Sequence, residues 1–390
     1  IKLSLFSIFL VFIPSNFLNK KKLERSNYFI TRYPLHFLNS NEDEKYASMF
    51  TNNDVYILDI MSDGIHQNLG IIESFSSLIK LLKFPKKYII LDRFINGIDF
   101  LNLLFKIPFI SIVYLNLISR NYVYKDIDIS SLLVKEQIYS FSKNIRLLSL
   151  YPKLIKIRNL YSIDKIFFTL FEYPYGKLIS HIFYSLGNCT TIGVQHGPAS
   201  IRKLYHYIPI QDDKNLINDF IPKKVLCEDV SSMKVYKEGK YKNIDLMPEV
   251  YRLNYLRSVK RIKAPSLNII FGGLHDSNLI LSELEEFIKL SNDSFYFKSH
   301  PRSKLNISTK KIINNLPNLK ITNKHPVKLF TIANKVICTY SSIALEALKL
   351  GINVIIVDLP GVINLSPLSY DNDLKKHYKN LSIEFISRDT

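Results

Sequence analysis

The sequence predicts an α/β protein with two Rossmann-like domains, and three observations lead to this class. Short apolar, β-branched runs alternate with stretches of helical periodicity along most of the 390 residues. A basic segment at 257–266 interrupts this alternation, and a second αβ series begins at 267. The chain is also long enough for two domains of ordinary size.

The first half contains most of the predicted elements. Continuous apolar runs of five or so residues are typical of parallel strands buried on both faces, and spacings of three and four are typical of helices. The predicted strands are 55–60, 88–91, 109–114, 165–171, 190–194 and 223–227. The predicted helices are 68–83, 129–148 and 175–186.

The second half repeats the pattern over a shorter length. A strand at 267–271 leads through two glycines to a helix at 280–290 and a strand at 294–299. The clearest unit comes last, where strand 336–338, a serine pair, a helix, Gly351 and a second strand follow one another. Gly351 stands where a glycine commonly ends a helix.

These elements predict a domain organisation. We expect a first αβ domain at 1–256, a linker at 257–266, a second αβ domain at 267–365, and a helical tail at 366–390 that packs back on the first domain. Two such domains facing each other across a cleft form the GT-B arrangement or a pair like that of periplasmic binding proteins, with ligands at the sheet edges. Because the chain begins with Ile1, we expect its true start to be missing.

Composition restricts the partners. Lys and Arg number 52 against 34 Asp and Glu, so a net charge of +18 favours polyanionic partners such as anionic membranes or acidic sugars. Nucleic acid ranks last because no zinc spacing or aromatic-basic RNA motif occurs. Cys189, Cys227 and Cys338 are scattered, which predicts buried thiols in a reducing cytoplasm. The apolar start at 1–13 is shorter than the ~20 residues that a membrane span needs.

The serine pair is the first candidate site. Ser341 and Ser342 precede a helix at the carboxyl end of a strand, where hydroxyls and backbone N–H groups bind phosphate well. The alternative is an ordinary helix cap. Glu346 lies one position too late for a capping box. It either interacts with the helix dipole or binds the ribose of a nucleotide.

A second candidate follows strand 294–299. His300 and Pro301 stand where the strand must stop, with Lys298 close by, so that His300 can donate to a phosphate oxygen without a metal. The alternative is a structural histidine. Gly272 and Gly273, at the preceding strand-to-helix turn, either allow a donor to approach the backbone or simply form a tight turn.

Polar residues after strands of the first half are the candidates for acceptor chemistry. Glu172 follows an apolar strand and is a plausible general base, or else a loop-bracing acid. Asp63 competes for the role of base. Gln195, His196 and Gly197 form the next strand end, where His196 binds acceptor or sugar carboxylate, or braces the turn.

Several other chemistries lack support. The pair Asp126 and Asp128 matches a metal-binding Asp-x-Asp pattern, but it stands in a polar loop without nucleotide landmarks, so we predict no metal and no cofactor. Dinucleotide-binding and P-loop glycine motifs are absent from the sequence, which argues against dehydrogenases and NTPases. The Gly-x-Ser-x-Gly nucleophile elbow is also absent from the sequence, which argues against an α/β-hydrolase.

A family resemblance joins these motifs. The residues 298–301 followed by 339–346 resemble the paired His-Pro and Ser-Ser motifs of bacterial sialyltransferases, and related patterns occur in capsule Kdo-transferases and polysialyltransferases. The resemblance implies that His300, Ser341 and Ser342 hold the CMP part of the donor. It also implies that 1–256 is the acceptor-side domain and 267–365 the nucleotide-sugar-binding domain. The stretches 28–35, 42–46, 171–174 and 191–197 are similar to surface-carbohydrate glycosyltransferases. Sialyltransferases have two acids before a glycine in the first domain, whereas Ser62 replaces the first acid here.

The resemblance implies a metal-independent glycosyltransferase of lipopolysaccharide, O-antigen or capsule assembly. It would transfer an acidic sugar of the sialic acid or Kdo type from CMP to a hydroxyl of a glycan or lipid-linked glycan. We expect it at the cytoplasmic face of the cell membrane, as a peripheral protein on the anionic surface. The alternatives are a CDP-glycerol-type glycerophosphotransferase and a non-catalytic, membrane-associated binding protein of the same fold.

Overall fold

The computed structural model describes residues 26–32, 45–51, 54–59, 87–94, 97–124, 127–128, 130–184, 188–208, 218–262, 265–301 and 303–386. The chain divides into two compact units. One unit comprises 1–195, 209–226 and 241–245, and the other comprises 196–208, 227–240 and 246–390. The predicted fold class is confirmed, because two Rossmann-like sheets of seven and six strands alternate with helices.

The strands follow one another in chain order. They are β1 Ser26–Arg32, β2 Val55–Asp59, β3 Tyr88–Ile90, β4 Val123–Tyr124, β5 Ile127–Asp128, β6 Ile163–Thr169, β7 Thr190–Val194, β8 Lys224–Cys227 and β9 Ile244–Leu246 in the first part. The second part contains β10 Leu267–Phe271, β11 Ser294–Lys298, β12 Leu319–Ile321, β13 Ala333–Cys338, β14 Asn353–Val357 and β15 Ile383–Ile386.

Helices separate most of these strands. They are α1 Gly97–Ile118, α2 Ser130–Leu160, α3 Pro174–Tyr184, α4 Val230–Glu238, α5 Leu279–Leu290, α6 Ile307–Asn315, α7 Pro326–Phe330, α8 Ile343–Lys349 and α9 Asn372–His377. Short 3-10 helices add Ala47–Met49, Leu91–Phe94, Leu204–His206, Tyr251–Ser258 and Pro367–Ser369.

Both sheets have the same type of strand order. The seven-stranded sheet has the order β3-β2-β1-β6-β7-β8-β9, and the six-stranded sheet has the order β12-β11-β10-β13-β14-β15. Neighbouring pairs from β3 to β8 and from β12 to β15 are parallel. In each sheet the first three strands are added one after another towards one edge, and the later strands are added towards the opposite edge. The direction of strand addition therefore reverses between β1 and β6 in one sheet and between β10 and β13 in the other.

Two apolar layers stabilise the six-stranded sheet. One layer includes Val336, Val354 and Ile356 with the buried face of α8. The other includes Ile337 and Ile355 with α5. Alternate residues of β13 and β14 therefore face opposite layers, as the continuous apolar runs predict for strands covered on both sides.

Most predicted elements within the described residues are confirmed, and two expectations are wrong. The tail is not wholly helical, because strand β15 follows α9 and pairs with β14 of the six-stranded sheet. The predicted strand 109–114 lies inside helix α1. A continuous apolar run cannot distinguish a buried strand from a helix by periodicity. Helix α2 extends beyond the predicted 129–148, and the predicted helix 68–83 lies outside the described residues. The three cysteines are buried with free thiols, as predicted.

The segment predicted as a linker lies within the second compact unit. The Arg261 guanidinium donates to the carbonyl oxygens of Gly351 at 2.7 Å and Ala333 at 3.2 Å. The tail contacts α4, where Lys234 pairs with Asp373 at 2.8 Å. The domain boundaries proposed from the sequence stay a prediction. Among the described ranges, no helix combines the length and apolar character needed to cross a membrane.

Candidate functional site

The reversal of strand order in the six-stranded sheet determines where its candidate site lies. Strands β10 and β13 are neighbours, with Phe271 paired to Cys338. The segments that leave them, Gly272-Gly273 and Thr339 to Ser342, therefore emerge side by side at the carboxyl edge. In open α/β sheets this crevice is the usual position of a ligand. Two motifs that are far apart in sequence thus come together.

The glycine pair allows a close approach of the next turn. A Cβ atom at Gly272 would overlap Ser277, and one at Gly273 would overlap the Asp276 carboxylate. The Ser277 hydroxyl donates to the Gly273 carbonyl oxygen at 2.6 Å. Glycine is required here because side chains 276 and 277 pack against the loop. The two glycines therefore build the local turn, and contact with a donor stays a prediction.

Asp276 is a candidate residue that the sequence reasoning missed. It is 2% exposed, and the Thr339 hydroxyl donates to its Oδ2 atom. Its Oδ1 atom is buried and has no hydrogen-bond partner among the described residues. Burial and the Asp276 charge raise the pKa of the Cys338 thiol. A buried carboxylate oxygen without a donor is costly, so it marks a position where a ligand donor would be stabilising.

The serine pair differs from an ordinary helix cap. Ser342 occupies the N-cap position of α8 but makes no side-chain cap bond. Its hydroxyl instead lies 3.4 Å from Glu346 Oε1. The Ser341 hydroxyl accepts from the backbone N–H of Ile343 at 3.3 Å. Both serines are half-buried at the carboxyl edge, which is compatible with the predicted phosphate contact.

Glu346 belongs to a buried ion cluster, which we define as Glu228, Arg252, Tyr255 and Glu346. Arg252 forms a bidentate pair with Glu228, with Nη2 to Oε2 at 2.6 Å, and its Nη1 atom lies 3.6 Å from Glu346. The Tyr255 hydroxyl donates to the other Glu346 oxygen. Burial raises the pKa of Glu228, which Arg252 opposes, and burial together with Glu346 raises the pKa of Tyr255. Both oxygens of Glu346 are thus engaged by protein, and its ribose role stays a prediction.

His300 is connected to the glycine loop through one side chain. It is half-buried after β11, and its backbone N–H donates to the Ser277 hydroxyl at 3.3 Å. Ser277 therefore joins the backbone of His300 to that of Gly273. Pro301 is exposed, and Lys298 is half-buried with its pKa lowered by burial. Arg302 lies outside the described residues.

Glu172 lies at the corresponding reversal of the seven-stranded sheet. It follows β6, which pairs with β1, and it is 6% exposed. The turn is strained at Leu170, which adopts φ of 57°. Gly176 allows α3 to approach the turn closely, because a Cβ at this position would overlap Phe171. Burial raises the pKa of Tyr241, and the charge of Glu172 raises it further. The structure thus places a buried acid at the position where first-domain chemistry was predicted.

Asp59 is a second acid at this edge, and the sequence reasoning did not single it out. It ends β2, is fully buried, and accepts from the Tyr175 hydroxyl at 3.0 Å. Tyr175 belongs to the first turn of α3, just after Glu172. The competing acid Asp63 lies outside the described residues, so the identity of the base stays open.

The backbone of Gln195, the first residue of the stretch 195–197, connects neighbouring segments through hydrogen bonds. Gln195 is fully buried, its N–H donates to the Leu226 carbonyl at 3.0 Å, and its own carbonyl accepts from the Tyr46 hydroxyl. Gly197 adopts φ of 157°, where an added Cβ would meet no atom within 4 Å. His196 is half-buried beside it. Contact of these residues with an acceptor stays a prediction.

The Asp-x-Asp pattern has a structural explanation in part. Asp128 is exposed, and its carboxylate accepts from the Ser130 N–H at 2.8 Å at the start of α2. Hydrogen bonds from Ser130 lower the pKa of Asp128. Asp126 lies outside the described residues, and within the described ranges no group of three or more His, Cys, Asp or Glu side chains is arranged to hold a metal ion.

Comparisons with known proteins give structural likenesses only. No family model matches the sequence, and no curated protein matches it. The structure is similar to MurG of Acinetobacter baumannii, with 10% identity over 94% of this chain and 87% of that chain and a TM-score of 0.47. It is also similar to UDP-GlcNAc 2-epimerase of Neisseria meningitidis bound to UDP-GlcNAc, with 10% identity over 92% of this chain and 94% of that chain and a TM-score of 0.48. A third similar structure is Phytolacca americana UGT2 complexed with UDP-2-fluoro-glucose and pterostilbene, with 11% identity over 94% of this chain and 87% of that chain and a TM-score of 0.49. None of these likenesses identifies an activity for this chain.

Proposed function

We propose that this chain is a glycosyltransferase that binds a nucleotide-activated sugar at the carboxyl edge of its six-stranded sheet. The observation that supports it most is the unpartnered Oδ1 atom of Asp276 at the reversal of strand order. Ribose hydroxyls and the amino or imino groups of a pyrimidine are donors of the kind that this oxygen lacks. A nucleoside would therefore be stabilised there.

The phosphate of such a donor needs a different environment from Asp276. A phosphate oxygen next to the carboxyl group of Asp276 would lack a donor there, so we place it towards the serines that begin α8 and towards His300. Serine hydroxyls and an imidazole N–H can donate to it. Lys298 adds a basic side chain at the same edge, and burial lowers its pKa. The net charge of +18 favours an anionic donor in general.

The reaction we propose is a displacement at the anomeric carbon. Glu172 accepts the proton of an acceptor hydroxyl, the hydroxyl oxygen bonds to the anomeric carbon, and the bond from that carbon to the nucleotide phosphate oxygen breaks. The electron pair leaves on the nucleotide phosphate, where a hydrogen bond from His300 stabilises it. Asp63 is the competing base.

The donor we propose is a CMP-activated acidic sugar, on the basis of the His-Pro and Ser-Ser motifs. The acceptor would be a glycan or lipid-linked glycan of a bacterial surface polysaccharide, and we place the protein at the cytoplasmic face of the membrane. The UDP ligands named for the epimerase and for UGT2 belong to those proteins. They define the most useful comparison in an experiment.

The test is a thermal-shift series on the full chain with CMP, UDP, CDP and GDP. A ligand that binds only the folded state stabilises it by RT ln(1 + L/Kd), where L is the free ligand concentration, and so raises the melting temperature. We expect the largest increase with CMP. Stabilisation by UDP alone would replace the CMP donor by a UDP-sugar, and stabilisation by CDP alone would favour a glycerophosphotransferase. No stabilisation by any of the four would contradict a nucleotide site.

A further inference from the structure

Helix α1 and helix α2 form a hairpin whose base is fixed to the seven-stranded sheet. Leu150, Leu154 and Ile157 of α2 are fully buried. Lys153 forms a buried ion pair with Asp92, just after β3, at 2.7 Å, and Lys156 pairs with Asp99 at the start of α1. The orientation of α1 is therefore determined by the fold.

One face of α1 packs on α2, and the opposite face is apolar and exposed. Tyr114 contacts Phe141 of α2 with ring centroids 5.1 Å apart, and Ile107, Ile110 and Leu117 are half-buried. Large apolar side chains that are 46–73% exposed occupy the other side: Ile98, Leu101, Leu104, Phe105, Phe109, Ile112, Val113 and Leu115. At 100° per residue they cover about half of the helix circumference, an arc that also contains the exposed polar residues Asn102 and Asn116.

Such a face is unusual for a protein surrounded by water. Single exposed apolar residues are common, but a contiguous apolar helix face normally marks an interaction surface. Phe105 and Phe109 are each 73% exposed and lie one turn apart. The sequence of α1 contains only two charged residues, Asp99 and Lys106, and the first of them is neutralised by Lys156.

Charge indicates what covers this face. The hairpin, residues 97–160, contains nine Lys and Arg against four Asp and Glu, a net charge of +5. Two copies of this chain joined through α1 would bring two such hairpins together, and their charges would repel. An anionic lipid surface is complementary to both features, because it offers an apolar layer beneath negative headgroups. The polar helix α2 along one side of α1 favours an orientation in the plane of the surface over a spanning one.

We propose that the exposed face of α1 inserts into the interfacial layer of an anionic bilayer. The apolar side chains around Phe105 and Phe109 lie at the level of the acyl chains, and Lys and Arg of the hairpin contact headgroups. This inference goes beyond the proposed transfer reaction and does not depend on the donor. It adds a specific surface to the predicted peripheral location.

The test is flotation of the full chain with vesicles of phosphatidylcholine, with and without phosphatidylglycerol. Wild-type protein should float with the anionic vesicles and less with the neutral ones. The variant F105S/F109S should partition at least about tenfold less, because two large apolar side chains no longer leave water on binding. The matched control is L290S/I307S, which removes apolar side chains that are 84% and 76% exposed in the other unit.

Each outcome decides the proposal. Both double variants should melt at the wild-type temperature, since the four side chains are exposed. Flotation that F105S/F109S leaves unchanged, or wild-type protein that stays in solution with anionic vesicles, would overturn it. So would light scattering that shows a wild-type dimer, a monomeric F105S/F109S and no vesicle binding. Because no activity is measured, a failed transfer reaction would leave this test unaffected.

Discussion

At the scale of single residues, Asp276 is central to the donor site. It combines almost complete burial, one hydrogen bond from Thr339 and one unsatisfied carboxylate oxygen. Ordinary core packing does not favour such a group, since burying an ionised oxygen without a donor is destabilising. A ligand that donates to this oxygen would recover the lost interaction. Asp276 would then be a recognition residue for the nucleoside.

The substitution Asp276→Asn tests this role. Asparagine can still accept from Thr339, but its amide group would place N–H donors where Oδ1 now lies. Nucleotide affinity should fall about tenfold or more, as expected for losing a hydrogen bond to a charged group. Stability in urea should be unchanged or slightly higher. The control Asp293→Asn alters an exposed aspartate that accepts from Asn268 at 2.9 Å, and wild-type affinity in D276N would contradict the role.

Glu172 is the residue on which the acceptor chemistry depends. The variant Glu172→Gln has the same shape but cannot accept a proton. We expect kcat to fall by about 10²–10⁴ while nucleotide affinity stays the same. Turnover with the nucleotide sugar and calorimetry with the nucleotide separate the two effects. The control is Asp164→Asn, near the opposite end of β6, and full turnover in E172Q together with loss in Asp63→Asn would transfer the role of base to Asp63.

At the scale of elements, helix α8 is held in place by the buried ion cluster. Glu346 of α8 contacts Arg252 and Tyr255, both in the 3-10 helix Tyr251–Ser258, and Arg252 also pairs with Glu228 next to β8. The Ser342 hydroxyl reaches the same carboxylate. The position of the serine pair is therefore coupled to a cluster that lies behind it.

Removing the shared cation should destabilise this part of the chain. In Arg252→Met two buried carboxylates lose their partner, and we expect the free energy of unfolding to fall by about 3–5 kcal/mol. Urea denaturation of R252M and wild type measures the change. The control Asp373→Asn breaks the exposed pair with Lys234 and should have no measurable effect, since exposed ion pairs contribute little. An R252M midpoint equal to that of wild type would show that the cluster does not stabilise the fold.

Local sequence signals are sufficient to predict some elements but not the contacts between them. The unit 336–357 was predicted correctly because its strand, serine pair, helix and Gly351 are local features, and Gly351 adopts φ of 72°. The run 109–114 resembles a buried strand in the sequence because it is short, mostly apolar and contains β-branched residues, yet it belongs to helix α1. Neither the bond from Thr339 to Asp276 nor the pair of Arg252 and Glu346 has a local signal, because the partners are 63 and 94 residues apart along the chain.

At the scale of the whole molecule, the alternation of apolar runs with helical stretches is enough to predict the α/β class. The positions of the candidate sites can be predicted only when the strand order is known. Each sheet reverses its order once along the series described above, and each reversal places a buried acid at the carboxyl edge, Asp276 in one sheet and Glu172 in the other. Residues of different strands meet there only through the register, as Phe271 and Cys338 do. Sequence reasoning found Glu172 through the end of its strand, and missed Asp276 because it follows a glycine turn.

The central claim is that a nucleotide binds at the carboxyl edge of the six-stranded sheet. Hydrogen–deuterium exchange of the full chain, with and without saturating CMP or UDP, tests it most directly because it locates the ligand along the chain. We predict slower exchange in 272–278 and 339–344, and unchanged exchange in α6. A nucleotide that binds but protects only other segments, or no change in either segment with any nucleotide, would contradict the account.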